Sequence, residues 1–472
     1  MVIIGLWLVF VKLNFNMYKL IRSLVYPGIN HIDEDRIEYI GFSSLDVYGR
    51  VFKYKDEIYR GIYPDKIDNV VRLVNSDMFK ELVSKGYVVE TSISDLRSKS
   101  YPLILKHKRL TQSTPFEWTF SLIKRATIRI LDINYICNKH GYELSDAHLY
   151  NVLFDGVKPV WIDIGSFSKT YTGGWMAKEE FMNLTVVPMV LMAKGELMAG
   201  YLWLQAEKDY KIIPNDFKNS LMYKYVDKCI NEVRNIDDLL VLKKWVDNLK
   251  SLSQNESYWS DYQTNDMELY KSIRAVKKSR FKRFNLILEQ VRVFEKEINS
   301  VIDLAGNIGL MSMIISKYTK IGKIINLDYD YNSIEKSVRF LGRASCLFVE
   351  SYVANFMLPM HPNIYRNFKS DLVLALAVTH HLFLTQGYKI DDVFLKIASF
   401  SKKYVFIEFM PMGLWGGDIN SLPKIPSWYN EIWFEENFRK YFKLVKKTVV
   451  ESHVVCGKRH PHRVLFIGKI RS

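Results

Sequence analysis

From about residue 298 onward the chain alternates strand-like and helix-like segments, and that rhythm limits its fold more than any other feature. The runs INSVIDLA, GKIINLDYD, CLFVES, DLVLALAV and KYVFIEFM are short and apolar, with helical stretches between them. Such alternation predicts a parallel sheet with helices on both faces, an α/β Rossmann-like domain. The last two runs, KTVVESHVV and RVLFIGKI, follow each other without a helix and predict a closing antiparallel hairpin.

The amino-terminal half has a different rhythm. DVYGRVFKYKDEIYRGIY (46–63) alternates on either side of a polar turn and predicts a β-hairpin. Helical spacing covers 67–85, ending near Gly86, and 115–140, opening at Thr114-Pro115. Two short strands, NVLFD (151–155) and PVWID (159–163), flank a turn containing Gly156. From 176 to 295 the pattern is mainly helical, broken near Pro214 and at the polar SLSQNES (251–257). That break divides the chain into an α+β part, 17–250, and the α/β part, 251–472, within the two or three domains that 472 residues allow. The opening apolar run of eleven residues is too short for a bilayer of about 30 Å and lacks a signal-peptide pattern. Residues 1–16 read as an extension ahead of a start at Met17.

The four cysteines (Cys137, Cys229, Cys346, Cys456) form no CxxC pair, which argues against a metal cage or disulfide framework and fits a reducing cytoplasm. The net charge of +15 favours anionic partners. KSIRAVKKSRFKR (271–283) holds seven Lys/Arg and no acid. It suits a phosphorylated acceptor, anionic lipid at the inner face of a membrane, or RNA phosphates, although no RNA-binding motif accompanies it.

In open parallel sheets ligands sit beyond the carboxyl ends of the strands. The loop after the first strand is Asp303-Leu304-Ala305-Gly306-Asn307-Ile308-Gly309, whose small residues let the backbone approach a ligand closely. The second strand ends in Asp328, with Asp330 two further on, and an acid there can accept both ribose hydroxyls of a nucleoside. This half resembles class I S-adenosylmethionine-dependent methyltransferases. VIDLAGNIG is similar to their glycine-rich first motif, with Ala305 and Asn307 at two of its three glycine positions. DLVLALAVTHHL is similar to their fourth-strand motif, and Tyr258-Trp259-Ser260-Asp261-Tyr262 to the segment that closes over the cofactor. A dinucleotide-binding dehydrogenase would share the sheet but explain neither HHL nor the last hairpin.

The resemblance implies S-adenosylmethionine held by Asp303, Ala305, Gly306, Asn307, Gly309, Asp328, Asp330 and Tyr262. For the adenine contact it leaves Glu350 or Tyr352. Transfer to oxygen or nitrogen needs a base if the acceptor carries a proton. His380, His381 and Glu408, at strand ends, are the candidates, a neutral histidine being the natural one.

Asp146, four residues, Asn151, eleven residues, then Asp163-Ile164-Gly165 is similar to the catalytic loop and metal-binding segment of the aminoglycoside-phosphotransferase and protein-kinase superfamily. Asp146 would orient an acceptor hydroxyl, while Asn151 and Asp163 would hold Mg²⁺ on ATP. The sequence departs from that pattern. Leu144 and Ser145 stand where a histidine is usual, no GxGxxG is present, and Arg60 stands where a lysine is expected. The whole arrangement resembles bacterial two-domain methyltransferases of nodulation and surface-polysaccharide modification with an amino-terminal kinase-like domain. That implies a glycan, glycolipid or small-molecule acceptor. Three readings follow: an O-methyltransferase with a degenerate kinase-like partner, a bifunctional kinase–methyltransferase, and an RNA methyltransferase.

Overall fold

The computed structural model describes residues 30–40, 46–170, 175–205, 236–251, 257, 282–342, 348–359 and 363–471. They fall into two compact units. The first is drawn from Met1–Arg109, Ile136–Tyr142 and Ile162–Ser168, the second from Leu110–Tyr135, Glu143–Trp161 and Lys169–Ser472. The boundary expected at 251–257 lies mostly outside the described residues, as do 1–16, Tyr262 and nearly all of the basic run.

The first unit is built on an antiparallel sheet. Its strands are β1 (Glu38–Tyr39), β2 (Gly49–Tyr54), β3 (Glu57–Ile62), β4 (Thr91–Ile93) and β5 (Leu103–His107), in the order β1-β2-β3-β5-β4. The hairpin expected at 46–63 is β2–β3, turning on Lys55 and Asp56 with φ of 48° and 68°. Two successive left-handed residues match the twist of the flanking strands. Phe52, fully buried, stacks between Tyr59 at 5.8 Å and Tyr101 at 6.1 Å. The single helix expected over 67–85 is two, α1 (Ile67–Asn75) and α2 (Asp77–Ser84). The chain breaks at extended Ser76, whose side chain accepts the Phe79 N–H and caps α2.

In the second unit a Thr114/Glu117 capping box precedes the long helix α3 (Phe120–Lys139), which belongs to this unit as far as Tyr135. The expected strand pair is the hairpin β6 (Val152–Asp155) and β7 (Lys158–Trp161). The dominant element is a seven-stranded sheet of β8 (Ser300–Leu304), β9 (Lys323–Asp328), β10 (Val349–Val353), β11 (Ser370–Ala375), β12 (Ser401–Phe409), β13 (Phe442–Val455) and β14 (Lys458–Ile470). Their order is β10-β9-β8-β11-β12-β14-β13. Strands β8 to β12 are parallel, and β14 enters antiparallel between β12 and β13, closing the sheet as the sequence predicts. The parallel strands are buried along almost their whole length, which fits their unbroken apolar runs. Helices α4 (Leu310–Tyr318) and α5 (Tyr331–Leu341) follow β8 and β9. Helix α3 is tied to α5: the Phe120 N–H donates to the Tyr331 hydroxyl at 2.8 Å, and the Ser121 hydroxyl to Glu335 Oε1 at 2.6 Å. No described helix is long and apolar enough to cross a membrane.

Candidate functional site

Strand order reverses beside β8, where the chain runs to β9 on one side and later to β11 on the other. A crevice opens beyond the carboxyl ends at such a point. The loop after β8 turns on three left-handed residues, Ala305 (φ 56°), Asn307 (54°) and Gly309 (80°). Two of these are not glycine, and each strained residue costs roughly 1–2 kcal/mol. The loop therefore keeps a glycine-loop backbone with two of its glycines replaced. At Gly306 a Cβ would lie 2.2 Å from Asn326 Oδ1 and 2.8 Å from Asp303 Cγ. Packing inside the protein thus demands glycine there, whatever the loop binds.

Asp328 ends β9 almost fully buried and holds the loop. Its Oδ2 accepts the Asn307 N–H at 2.7 Å and its Oδ1 the Asp330 N–H at 2.9 Å. Each oxygen keeps acceptor capacity. Burial pushes the carboxyl up to about 6 against the pull of those backbone donors. Asp328 lines a pocket with Ala305, Tyr329, Asn355, Phe356 and Val378. Asp303 is buried, accepts the Ser312 hydroxyl at 3.3 Å and is pushed by burial to about 7. Asp330 caps α5, accepting from Asn332 N–H and from the Ser333 and Ser257 hydroxyls. Gly309 stands at the start of α4, against Asn326.

Glu350 and Tyr352, expected to contact adenine, are not among the residues that line this pocket. Both are buried within β10, where Tyr352 stacks on Phe368 at 5.1 Å. The strand ends level with β9, Val353 pairing with Asp328 and the Ala354 N–H donating to the Asp328 carbonyl at 2.8 Å. Asn355 and Phe356, just past that end, reach the pocket instead. The small-then-polar pair Ala354-Asn355 after an apolar strand was the available signal.

His380 and His381 lie on the short helix Thr379–Leu384 after β11, their rings 4.0 Å apart, and Leu382 of that helix borders the pocket. Burial, then the charges of His381 and Arg463, hold His380 down at about 2, so its ring is neutral. Burial also lowers His381, which is only half-buried. Glu408 does not face an open space. Fully buried, it takes Arg283 Nε at 2.8 Å and Nη2 at 2.5 Å, with Arg463 Nη1 at 3.5 Å. Burial opposes its ionisation, but the two arginines hold its carboxyl below the usual range. A carboxylate so engaged is a poor base, which leaves His381 as the better-placed candidate.

In the first unit, buried Arg60 pairs with Asp46 and reaches Asp163 Oδ1 at 3.4 Å, while the same oxygen accepts the Gly165 N–H at 3.0 Å. In the second, Asp146 Oδ1 meets His148 Nε2 at 3.1 Å with Asn151 beside it, and Glu180 accepts the Ala147 N–H at 3.0 Å. Burial opposes ionisation of Asp146, yet His148 holds its carboxyl down at about 2. Asn151, expected beside Asp163 on the metal, belongs to the second unit and Asp163 to the first.

No protein-family model matches the chain. It is similar to the nodulation protein NoeA of Rhizobium meliloti (strain 1021), 24% identical over 464 residues that cover 88% of this chain and 94% of the relative. Among solved structures it is similar to the methyltransferase domain of bacterial CtHen1, with 12% identity and a TM-score of 0.32 over 40% of this chain and 98% of that one. It is similar to the magnesium protoporphyrin IX methyltransferase of Synechocystis PCC 6803 with bound SAH, with 11% identity and a TM-score of 0.31 over 45% and 97%. The bifunctional kinase-methyltransferase WbdD gives 19% identity and a TM-score of 0.29, and the chain spans only 40% of its length. These neighbours are methyltransferases.

Proposed function

We propose that the parallel-sheet half binds S-adenosylmethionine and methylates a hydroxyl of a glycan, glycolipid or small-molecule acceptor. The observation that carries this reading is Asp328, a carboxylate with spare acceptor capacity on a pocket beyond the strand ends. It would accept the two ribose hydroxyls, with Asn355 and Phe356 at the adenine end and the left-handed loop beneath. When bound, the cofactor supplies an electrophilic methyl group. His381 would take the proton of the acceptor hydroxyl, and neutral His380 would brace it from the buried side. The sequence resemblance to nodulation and surface-polysaccharide enzymes, together with the similarity to NoeA along most of the chain, supports the acceptor class.

The amino-terminal half is read as kinase-like and degenerate. Its Arg60 is engaged by two carboxylates, which takes it from the phosphates that a lysine would hold there. Calorimetry with S-adenosylhomocysteine tests the cofactor site. Asp328→Ala should lose about 1–3 kcal/mol, the worth of hydrogen bonds to a charged group. Unchanged affinity in a folded variant would sink the assignment. Incubating surface-polysaccharide fragments with labelled methyl donor, with and without ATP, tests the acceptor. Label that appears only with ATP would favour the bifunctional enzyme.

A further inference from the structure

The closing hairpin carries a group of side chains that methyl transfer does not use. Glu451 and His453 lie two apart on β13, so their side chains leave the same face. Across from them the ladder slips: Glu451 pairs with Arg463, but Ser452 pairs with Pro461, so His462 has no partner strand residue. A bulge of this kind re-aims a side chain, and Pro461, which cannot donate to a ladder, is tolerated there. The result is convergence. His462 Nδ1 lies 3.3 Å from Glu451 Oε2, and His453 Nε2 lies 3.5 Å from Oε1. One ligating atom from each of the three residues falls within 4.8 Å of the others.

Two observations mark the cluster as more than a surface accident. His462 is only 8% exposed; its Nδ1 faces Glu451, but its Nε2 makes no hydrogen bond among the described residues. Buried polar atoms left unmade are costly, so such a ring calls for a partner. Trp415 lies against both imidazoles, at 5.1 Å from His453 and 5.4 Å from His462. Arg463 Nε donates to Glu451 Oε2 at 2.5 Å, which fixes the carboxylate and leaves Oε1 directed at His453.

We propose that Glu451, His453 and His462 form a site for a divalent transition-metal ion of the zinc, cobalt or nickel class. Two imidazoles and one carboxylate suit such ions, whereas Mg²⁺ and Ca²⁺ prefer all-oxygen shells. Bonds of about 2.0–2.2 Å require the three atoms to close in. His453, with 38% of its side chain exposed, has room to do so. Arg463 is the outer-shell partner that orients the carboxylate. Three protein ligands leave a position for water or for an oxygen of a bound molecule.

The test uses the full chain, stripped with chelator and titrated with CoCl₂ while visible absorption and heat are recorded. One equivalent should bind, be displaced by ZnCl₂ and be insensitive to MgCl₂. His453→Ala, at an exposed position that folding tolerates, should weaken binding at least about tenfold, the least that losing even an outer-shell partner costs. Glu451→Gln should act the same way. His148→Ala, in the separate Asp146–His148–Glu180 cluster, should leave binding unchanged. Failure of the native protein to bind Co²⁺, or equal affinity in His453→Ala, overturns the proposal, as does loss of binding in His148→Ala alone. No methyl donor is needed, so failure here and failure of the methyltransferase reading are separate events.

Discussion

The loop after β8 and the Arg60 cluster depart from their expected patterns in opposite ways. In the loop two expected glycines are gone, yet Ala305 and Asn307 still hold left-handed backbone. Around Arg60 the acid Asp163 stands at the position the resemblance implies, and it shares Arg60 with Asp46 in an ion-pair triad. The first site keeps a costly geometry with the wrong residue types. The second keeps a residue type and commits it to internal pairing. Strain retained against propensity is the better pointer to use, because such backbone clusters at ligand clamps and active sites.

The largest test of that contrast is Gly306→Val. Its branches would drive into Asn326 and Asp303, and overpacking at such a site costs about 3 kcal/mol in urea unfolding. Gly322→Val, where a Cβ meets nothing within 4 Å, is the matched control and should change stability little. Equal effects would mean that the loop is not packed as described.

Next comes pH. Asp328 must be ionised to accept ribose hydroxyls, and burial sets it near 6. Affinity for S-adenosylhomocysteine should be highest near pH 8 and fall by roughly tenfold per unit below about pH 6. Protonation removes the acceptor, so the sign is loss on acidification. Asp328→Asn should be weaker and flat throughout, and a wild-type affinity that rises toward pH 5 would break the assignment.

For the other side of the comparison, Asp163→Asn should cost about 1–2 kcal/mol through the lost charged contacts to Arg60 and Gly165. Mg²⁺ with ATP should leave the melting temperature unmoved in both proteins. A nucleotide-dependent rise in the native protein, erased in the variant, would restore an active kinase half.

The smallest expected effect is Ala305→Gly. Relief of left-handed strain, less the extra entropy of an unfolded glycine, should stabilise by about 0.5 kcal/mol. Calorimetric melting resolves that sign.

Local signals were legible in the sequence and long-range ones were not. Asp328 and the loop follow directly from a strand-then-small-residue pattern, and the closing hairpin from two apolar runs with no helix between. Where β10 stops is not legible in the sequence, because a buried parallel strand offers no alternation to mark its end. Pairing with β9 shows that it ends at Val353, bringing Asn355 and Phe356 to the pocket. Glu408 looked reactive because its partners, Arg283 and Arg463, lie 125 and 55 positions away. Likewise, no periodicity reveals the slipped register that turns His462 toward Glu451. The split of 67–85 at Ser76 was within reach, since Asn-Ser-Asp is a stop followed by a cap.

The bonds from Phe120 and Ser121 to α5 bear on how such a chain can be cut or recombined. A fragment beginning at residue 251 would strip Tyr331 and Glu335 of partners that are already in place in the intact protein. It would also uncover the surface of α5 on which α3 rests. The long amino-terminal helix is therefore part of the scaffold of the parallel-sheet half, not cargo attached to it. A chimera that exchanges the first 250 residues for another cassette inherits this debt unless it brings a hydroxyl and an amide to the same two side chains.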